Sequence, residues 1–563
     1  MYILGVGQIG GADSSAVLLK DGKIVFAVEE ERLSRAKHAG GFPEKAIACC
    51  LEAEGITLAD VDHIAIVDEP WLRFVRRTTQ WYAKALFSHP TNALYHVFHD
   101  EVPVLLEFLK RSQQLRQGSR GRAKLSFVKH HTAHMASAFL VSPFEEAAVF
   151  TADARGEVAT TTTGIGVNNR LTVLEEQRMP HSLGVFYAAI TDYLGFRFNE
   201  DEYKVMGLAA YGQPEYLDIF RKMIRHDKQR LIMTDLDYFA YQTGRGLLSQ
   251  KFLKIFGPQR QPDEPVTAQH QNIAASAQAV LEEIALQIAK ALQVKTGMKN
   301  LCLAGGVAFN CVMNGKIQQA GIFDQVFVQP AAGDAGGALG AAHYIYNCVL
   351  GHPRTYVMKT AFLGPGYSDA QIEQELILSK AKYRRSSNIM EETAAHLAKG
   401  QVVGWFQGRM EFGPRALGAR SILADPTHPE MRDRVNASVK HREGFRPFAP
   451  AVKSAKAAEY FKIDFDSPFM LFVVDVLEDK KSLLPAITHV DGTARVQSVN
   501  EQDNPKLWGL LDAFERLKGV PILMNTSFNV MGEPIVCTPH EAIRCFYSTG
   551  LDVLAIGDFM VSK

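Results

Sequence analysis

The apolar positions at the amino terminus follow the pattern of a β-meander. The stretch YILGVGQIGGADSSAVLLKDGKIVFAVEEE predicts a strand, a small-residue loop that carries Asp13, a second strand, a tight turn and a third strand. The same pattern returns in AAVFTADARGEVATTTTGIGVNNRLTVLEE, where the loop after the first strand carries Asp153. The two stretches therefore predict a structural duplication within one α/β domain.

Two acidic-loop hairpins of this kind are typical of the two halves of an actin-like (ASKHA) or sugar-kinase-like ATPase, whose loops hold the phosphates and metal of a nucleotide. Further on, NLCLAGGVAFNCVMNGKI predicts a strand that delivers Gly305 and Gly306 into a helix, a geometry that exposes backbone N–H groups. In VFVQPAAGDAGGALGAAHYIY, Asp334 lies between a strand and a small-residue helix. We expect all these loops to line one nucleotide site.

A cluster of Pro and Gly at 351–366 predicts a domain junction. We place a first domain at 1–355 and a second α/β domain at 362–563. The stretch from about 71 to 124 differs in composition from the hairpins on either side, because it mixes aromatic and basic residues. It predicts a helical insertion that covers a site.

The composition is that of an ordinary globular protein. Of its 563 residues, 47% are apolar and 22% charged, enough for more than one core. Lys plus Arg and Asp plus Glu both total 61, which favours neither a nucleic-acid nor an anionic-membrane partner. The seven cysteines lack paired metal-type spacing, and neither a signal peptide nor an apolar run of ~20 residues is recognisable. We expect a cytoplasmic chain without a membrane span.

The stretch KHHTAHMASAF predicts a helix with His130 and His134 on one face, because residues four apart are neighbours on a helix. A metallopeptidase would have Glu after the first histidine, where this chain has His131. The strand-end carboxylates of Asp153 and Asp334 would complete a site for iron, zinc or manganese. The alternative is that both histidines form hydrogen bonds within a helix–sheet interface.

The second domain contains the highest concentration of candidate binding residues in the chain. Glycines and prolines that fix the backbone alternate with cations, as an anion-binding site requires. The cations are Arg409, Arg415, Arg420, Lys440, Arg442 and Arg446. Structural ion pairs with neighbouring carboxylates are the alternative for any one of them.

Taken together, the ordered motifs resemble those of the NodU/CmcH-type O-carbamoyltransferases. They are EEERLSRAKHAGGFP, KHHTAHMASAF, SLGVFYAAITDYLGF, EYKVMGLAAYG, LAGGVAFNCVMNGKI, GDAGGALGAA, EFGPRALGARSILADP, FRPFAP and NTSFNVMGEPIV, and they span nearly the whole chain. The resemblance implies a first domain similar to the iron- and nucleotide-binding protein of tRNA threonylcarbamoyladenosine synthesis and a YrdC-like second domain. It also implies that carbamoyl phosphate and ATP form carbamoyl adenylate, from which a small-molecule hydroxyl acceptor takes the carbamoyl group.

Motif by motif, the resemblance assigns roles to residues of this chain. It implies Fe(II) or another divalent transition metal on His130, His134, Asp153 and Asp334, and ATP with Mg as the nucleotide. Nucleotide contacts would come from Glu29, Lys37, Asp153, Gly305, Gly306 and Asn310, with Lys204 near the transferred group. Carbamoyl phosphate and the forming adenylate would bind Arg415, Lys440, Arg446, Asn525 and Ser527.

One position departs from the family pattern. Ala12 stands where the first loop of the family usually has His, so Asp13 is the candidate for an acceptor-side base, or transfer is impaired. A small-molecule kinase on the same scaffold and a transfer-defective nucleotide-binding protein are the competing functions. The sequence does not identify the acceptor. In relatives, the acceptors are largely products of secondary metabolism, such as antibiotics. The oligomeric state is also open, and a homo-oligomer is one of the alternatives.

Overall fold

The fold is described from a computed structural model of the chain. It describes residues 1–9, 11, 13–76, 78–79, 97–227, 230–242 and 246–563, so that Ala12 and part of the stretch 71–124 lie outside the described residues. These residues group into two compact units. The first comprises Met1–Glu30 and His38–Met358, and the second comprises Glu31–Lys37 and Lys359–Lys563. Both units are mixed α/β.

The strands of the first unit form two five-stranded sheets and a two-stranded ribbon. The first sheet contains β1 (Tyr2–Val6), β2 (Ser15–Lys20), β3 (Lys23–Glu29), β4 (His63–Val67) and β5 (Lys124–Val128). The second contains β6 (Glu146–Ala152), β7 (Ala159–Val167), β8 (Arg170–Arg178), β11 (Asn300–Ala304) and β12 (Gln325–Val328). The separate ribbon consists of β9 (Ile224–Asp227) and β10 (Arg230–Thr234).

The two sheets share one topology. Their orders are β3-β2-β1-β4-β5 and β8-β7-β6-β11-β12. In each, the first three strands form an antiparallel meander, and the two later strands add parallel to the first. The predicted duplication is thus confirmed, and the acidic loops follow equivalent strands, β1 and β6.

Helices accompany both sheets. The structure has α1 (Glu30–Ser34), α2 (Glu44–Ala53), α3 (Pro70–Arg76), α4 (Val102–Gly118), α5 (His130–Phe139), α6 (Leu183–Tyr193), α7 (Glu202–Ala209), α8 (Leu217–Met223), α9 (Gln250–Phe256), α10 (Ala268–Thr296), α11 (Cys311–Gln319) and α12 (Ala335–His343). Short 3₁₀ or π turns lie at Leu58–Asp60, Val97–Glu101, Leu236–Tyr238, Gly306–Phe309 and Tyr344–Val349. In the stretch 71–124, α3, the turn ending at Glu101 and α4 are helical.

The small residues of α12 let it pack closely on α5. A Cβ atom at Gly340 would lie 1.8 Å from the carbonyl oxygen of Ala133, so only glycine permits this separation. Both helices are almost completely buried. Their contact fixes the start of α12, which follows Asp334, relative to the histidines of α5.

An eight-stranded mixed sheet forms the second unit, in the order β13-β22-β21-β14-β15-β20-β16-β19. The strands are β13 (Lys382–Arg385), β14 (Val403–Phe406), β15 (Arg420–Ala424), β16 (Ala449–Lys453), the paired β17 (Val473–Asp475) and β18 (Thr493–Arg495), β19 (Gln497–Val499), β20 (Ile522–Ser527), β21 (Val553–Ile556) and β22 (Phe559–Ser562). The helices are α13 (Asp369–Leu378), α14 (Ile389–Ala398), α15 (Met431–Val435), α16 (Pro505–Lys518) and α17 (Pro539–Tyr547), with short turns at Asn436–Lys440, Ser454–Glu459 and Glu478–Lys480.

Both faces of this sheet are buried. Trp405 and Leu423 contribute to one apolar cluster with α14 and α16, whereas the adjacent Phe406 and Ile422 contribute to another on the opposite face. This alternation follows from the two-residue period of a strand. The sheet is therefore a rigid base for loops at its strand ends.

Two chain-wide features agree with the composition. None of the seven cysteines forms a disulfide. No helix among the described residues combines the length and the apolar character that crossing a membrane requires.

Candidate metal centre and anion site

The histidine pair of the first unit lies at the start of α5. His130 begins the helix directly after β5, and its backbone N–H donates to Glu157 at 3.0 Å, which fixes the helix start. The four-residue spacing places Nε2 of His130 and Nε2 of His134 only 3.0 Å apart. Both side chains are 1% exposed. The predicted pairing of the two imidazoles on one face is present.

Two carboxylates complete the cluster. Asp153 follows β6, and its Oδ2 lies 3.1 Å from Nε2 of each histidine. Asp334 precedes α12, and its Oδ1 lies 3.5 Å from Nε2 of His130 and 3.7 Å from that of His134. Four residues separated by up to 204 positions thus direct one ligand atom each at a common point.

This donor set fits a divalent first-row metal. Bonds of about 2.0–2.2 Å from one ion to nitrogen and oxygen ligands place neighbouring ligands about 3–3.6 Å apart, close to the separations here. Two imidazoles and two carboxylates are ligands for iron, zinc or manganese alike. Two Nε2 atoms at 3.0 Å would otherwise have to share a proton or repel.

The pKa shifts of the four residues indicate a site that favours positive charge between them. Burial disfavours the charged form of His130, but nearby carboxylates, chiefly Asp334 and Asp153, hold its pKa well above the ordinary value. Burial likewise disfavours ionised Asp153, but the two histidines hold its pKa well below the ordinary value. Burial and the charge of Asp153 raise the pKa of Asp334 to about 6. Positive charge is therefore stabilised at the centre.

The glycine turn predicted to approach a nucleotide lies beside the cluster. Gly305 has φ of +87°, and a Cβ atom there would lie 2.2 Å from the carbonyl oxygen of Ala152. A Cβ atom at Gly306 would lie 3.0 Å from Oδ1 of Asp153. The turn after β11 is thus packed directly against the metal-ligand loop.

Asp13 lies in the equivalent loop of the first sheet. Its Oδ1 is 2.8 Å from Nδ1 of His38, and its side chain is 36% exposed. The same loop contacts the surroundings of the cluster, because Ser15 donates to the carbonyl oxygen of Ala335 at 2.6 Å. Asp13 is therefore an oriented, partly accessible carboxylate at the end of the sheet where Asp334 lies.

The remaining predicted residues of the first domain have varied surroundings. Glu29 is buried at the end of β3. Asn310 caps α11 and exchanges hydrogen bonds with Gln278, so its amide serves the scaffold. Lys204 pairs with Asp201 at 3.2 Å. Lys37 belongs to Glu31–Lys37, which groups with the second unit.

In the second unit, Lys440 is the buried centre of a polar cluster. Its ammonium donates to Oγ of Ser527 at 3.2 Å and to the carbonyl oxygen and Oδ1 of Asn529 at 3.0 and 2.8 Å. Burial, followed by the charge of Arg442, holds the pKa of Lys440 well below its ordinary value. Arg446 acts in the same direction. Lys440, Ser527 and Arg446 are thus neighbours, as predicted.

The loop that carries Arg415 lies over the same strand. Asn525, two residues before Ser527 on β20, donates to the carbonyl oxygen of Ala416 at 3.3 Å. Glu411 organises this loop by accepting from the N–H groups of Leu417 and Ala419. Oδ1 of Asn525 is buried and has no hydrogen-bond partner within the described residues. All five residues predicted for the second domain therefore fall in one region.

Two other arginines of the predicted anion site have structural contacts. Arg420 is fully buried, lies 3.6 Å from the ring centre of Phe406, and donates to four carbonyl oxygens at 3.0–3.1 Å. Arg409 donates to the carbonyl oxygens of Gly364 and Leu363. These contacts give both arginines a structural role in the scaffold.

Sequence reasoning missed the residues behind the metal cluster. Asp68 follows β4, and its Oδ1 lies 3.5 Å from Nδ1 of His130. Glu157 accepts from the backbone of His130. The available signal was that Asp68 ends an apolar strand, HIAIV, just as Asp153 ends β6.

Family comparison bears on both units. Residues 2–343 match the model "Carbamoyltransferase N-terminus", and residues 394–563 match "Carbamoyltransferase C-terminus". The chain belongs to the carbamoyltransferase family. The predicted family, and the prediction of a transferase, are confirmed.

Individual relatives of this carbamoyltransferase extend over most of the chain. An uncharacterized protein of Synechocystis sp. is 42% identical, covering 98% of this chain and 95% of its own. Nodulation protein NolNO of Sinorhizobium fredii is 40% identical, covering 98% and 79%. The 3'-hydroxymethylcephem-O-carbamoyltransferase of Amycolatopsis lactamdurans is 37% identical over 46% of this chain and 48% of its own.

Among solved structures, a ROK hexokinase from Thermus thermophilus covers 62% of this chain and all of its own, at 14% identity and a TM-score of 0.31. A likeness this weak carries no functional inference.

Proposed function

We propose that this carbamoyltransferase is an ATP-dependent O-carbamoyltransferase that moves the carbamoyl group of carbamoyl phosphate, through carbamoyl adenylate, to a hydroxyl of a small-molecule acceptor. The observation that carries the proposal is the cation cluster of the second unit, where Lys440 and Arg446 lie beside Ser527 in a carbamoyltransferase. Such a cluster suits phosphorylated reactants. The relative named 3'-hydroxymethylcephem-O-carbamoyltransferase supports a hydroxyl acceptor.

The proposed first reaction is assigned to the second unit. Water cleaves carbamoyl phosphate to carbamate and phosphate, and a carbamate oxygen then attacks the α-phosphorus of ATP, with magnesium pyrophosphate leaving. Arg415, Lys440 and Arg446 stabilise the negative charge of both reactants. The amide of Asn525 and the hydroxyl of Ser527 orient the carbamoyl group. Adenylation gives the carbamoyl carbon a good leaving group.

The proposed transfer is assigned to the first unit. The acceptor hydroxyl attacks the carbamoyl carbon, AMP leaves, and the hydroxyl proton passes to Asp13, which His38 orients. Glycine N–H groups at Gly305 and Gly306 bind the adenylate phosphate. A metal held by His130, His134, Asp153 and Asp334 would supply Lewis acidity and a fixed positive charge.

The test follows the products of ATP. The full chain is incubated with ATP, Mg²⁺ and carbon-labelled carbamoyl phosphate, and pyrophosphate, phosphate and labelled carbamoyl adenylate are quantified. We expect pyrophosphate release that requires carbamoyl phosphate. Lys440→Met is expected to lower its rate about 10²-fold or more, as loss of one preorganised donor does, whereas Lys462→Met, at an exposed lysine of the same unit, leaves it unchanged.

The same experiment separates a small-molecule kinase from the proposed function. A small-molecule kinase would release ADP and would not need carbamoyl phosphate. A transfer-defective protein would form carbamoyl adenylate or bind nucleotide without turnover on any acceptor. ADP as the sole nucleotide product would refute the proposal.

A further inference from the structure

The inference concerns Asp68, which lies behind the proposed metal ligands. Its side chain is 1% exposed, and its Oδ1 lies 3.5 Å from Nδ1 of His130. Both atoms are buried, and neither has another hydrogen-bond partner among the described residues. Two buried polar atoms that face only each other are expected to interact, because each would otherwise lose its hydration without compensation.

The geometry around His130 fixes what this contact does. Nε2 of His130 faces Asp153 and His134, at 3.1 and 3.0 Å, and is the atom that would bind a metal. A neutral imidazole that offers Nε2 as a lone pair must carry its proton on Nδ1. An acceptor behind Nδ1 therefore selects the ligand form of the ring and holds its orientation.

Asp68 is itself held by two side chains. Its Oδ2 accepts from Nε2 of Gln8 at 2.5 Å and from Nη1 of Arg73 at 3.3 Å. Its backbone has φ of +83°, a conformation that non-glycine residues adopt only when their surroundings impose it. Oδ1 is thus left pointing at His130.

Arg73 extends this contact into the helical segment before α5. It lies on α3, and its Nε donates to Glu101, the last residue of the turn before α4, at 3.3 Å. Arg73 and Glu101 are both less than 9% exposed. A buried guanidinium shared by two carboxylates is costly to separate from either one. The start of α4 is therefore tied to α3, and α3 to Asp68.

We propose that Asp68 is a positioning residue that fixes His130 as a metal ligand, and that Arg73 and Glu101 couple metal loading to the placement of α3 and α4. The proposal rests on the metal centre of the proposed function. Because energetic coupling between two sites is reciprocal, metal should stabilise α3 and α4, and loss of the Arg73 contacts should weaken metal binding.

The test uses Co²⁺ as a spectroscopic probe on the full chain after metal removal. Asp68→Asn keeps the size of the side chain but not its charge. We expect its Co²⁺ affinity to fall about 10–100-fold, as with other outer-shell partners, with an altered visible spectrum. Because Asp68→Asn also removes a buried charge from Arg73, its metal-free form should unfold at a lower midpoint, and Co²⁺ binding is measured at a temperature where circular dichroism shows it to be folded. Asp192→Asn, at a half-buried carboxylate of α6, serves as matched control and should bind as the wild type does.

One further variant keeps the failures distinguishable. His134→Ala removes a proposed ligand. If the wild type binds no Co²⁺, or His134→Ala binds it equally well, the metal centre itself is refuted and the inference with it. If His134→Ala loses binding but Asp68→Asn retains wild-type affinity and spectrum, only the inference is overturned.

The coupling has its own readout, which also applies if Asp68→Asn does not fold. Co²⁺ should slow amide hydrogen exchange in Pro70–Arg76 and Val102–Gly118 of the wild type, and Arg73→Gln should reduce both this protection and Co²⁺ affinity. Arg73→Lys, which keeps the charge, should restore part of each. Identical exchange with and without Co²⁺ in wild type that binds it would overturn the coupling.

Discussion

At the residue scale, Lys440 makes the proposed anion site sensitive to pH. Its ammonium donates to neutral oxygens of Ser527 and Asn529, and burial with the nearby Arg442 lowers its pKa. A group with a lowered pKa loses its proton as pH rises through that value. Because an anion binds the charged ammonium of Lys440 and not the neutral amine, its binding restores the proton. We expect pyrophosphate affinity to fall as pH rises, with proton uptake.

Calorimetry in two buffers of different ionisation enthalpy measures that uptake. Because pyrophosphate itself titrates, the difference between wild type and Lys440→Met isolates the contribution of the lysine, and Lys462→Met should match the wild type. Equal proton uptake in wild type and Lys440→Met would contradict the assignment.

Arg420 is expected to act on stability. Its guanidinium donates to four carbonyl oxygens, including those of Gln407 and Pro365. Arg420→Ala would leave these buried acceptors without a donor, at about 1–3 kcal/mol for each group that water cannot reach. The free energy of unfolding, from urea titration, should fall by at least about 3 kcal/mol. Arg432→Ala, at a partly exposed arginine, should change it little, and a similar value for both variants would argue against a scaffold role.

Individual ligands could be predicted where local spacing fixes them. His130 and His134 share a face because four residues complete about one helical turn, and Asp153 directly follows β6. Asp334 was expected at a strand end, but it lies directly before α12 and apart from the end of β12. Asp68 could not be assigned in this way, since its contact with His130 depends on how β4 and β5 pair. Arg409 and Arg420 were grouped with Arg415 because sequence does not distinguish a cation that binds carbonyl oxygens from one that faces a ligand.

At the element scale, the meander of each sheet could be predicted because three short strands joined by turns leave few pairings. The parallel addition of β4 and β11 to the first strands joins residues far apart in sequence, so no local pattern predicts it. The grouping of Glu31–Lys37 with the second unit is a tertiary property with no local signal.

The turn after β11 gives a prediction for one element. Gly305→Ala would force a positive φ on alanine and place its Cβ against the carbonyl oxygen of Ala152. We expect a loss of about 2 kcal/mol or more in the free energy of unfolding. Gly321→Ala is the matched control, because Gly321 has φ of +61° with open space around its Cβ position and should lose only about 1 kcal/mol. Equal losses would mean that the close approach at Gly305 is relieved cheaply.

At the scale of the whole molecule, the two units carry chemically different sites. The first holds a buried cluster of histidines and carboxylates, and the second holds a buried lysine close to Arg442 and Arg446. Both units match models of the carbamoyltransferase family. The central claim is that adenylate formation belongs to the second unit and carbamoyl transfer to the first.

The measurement that tests this claim most directly is carbamoyl-phosphate-dependent pyrophosphate release by two variants, His134→Ala and Lys440→Met, compared with wild type. We expect His134→Ala to retain pyrophosphate release within about threefold of wild type and Lys440→Met to lose about 10²-fold or more. Circular dichroism of both variants checks that they are folded. Loss of pyrophosphate release in folded His134→Ala, with near-wild-type release in Lys440→Met, would contradict the assignment of the two steps.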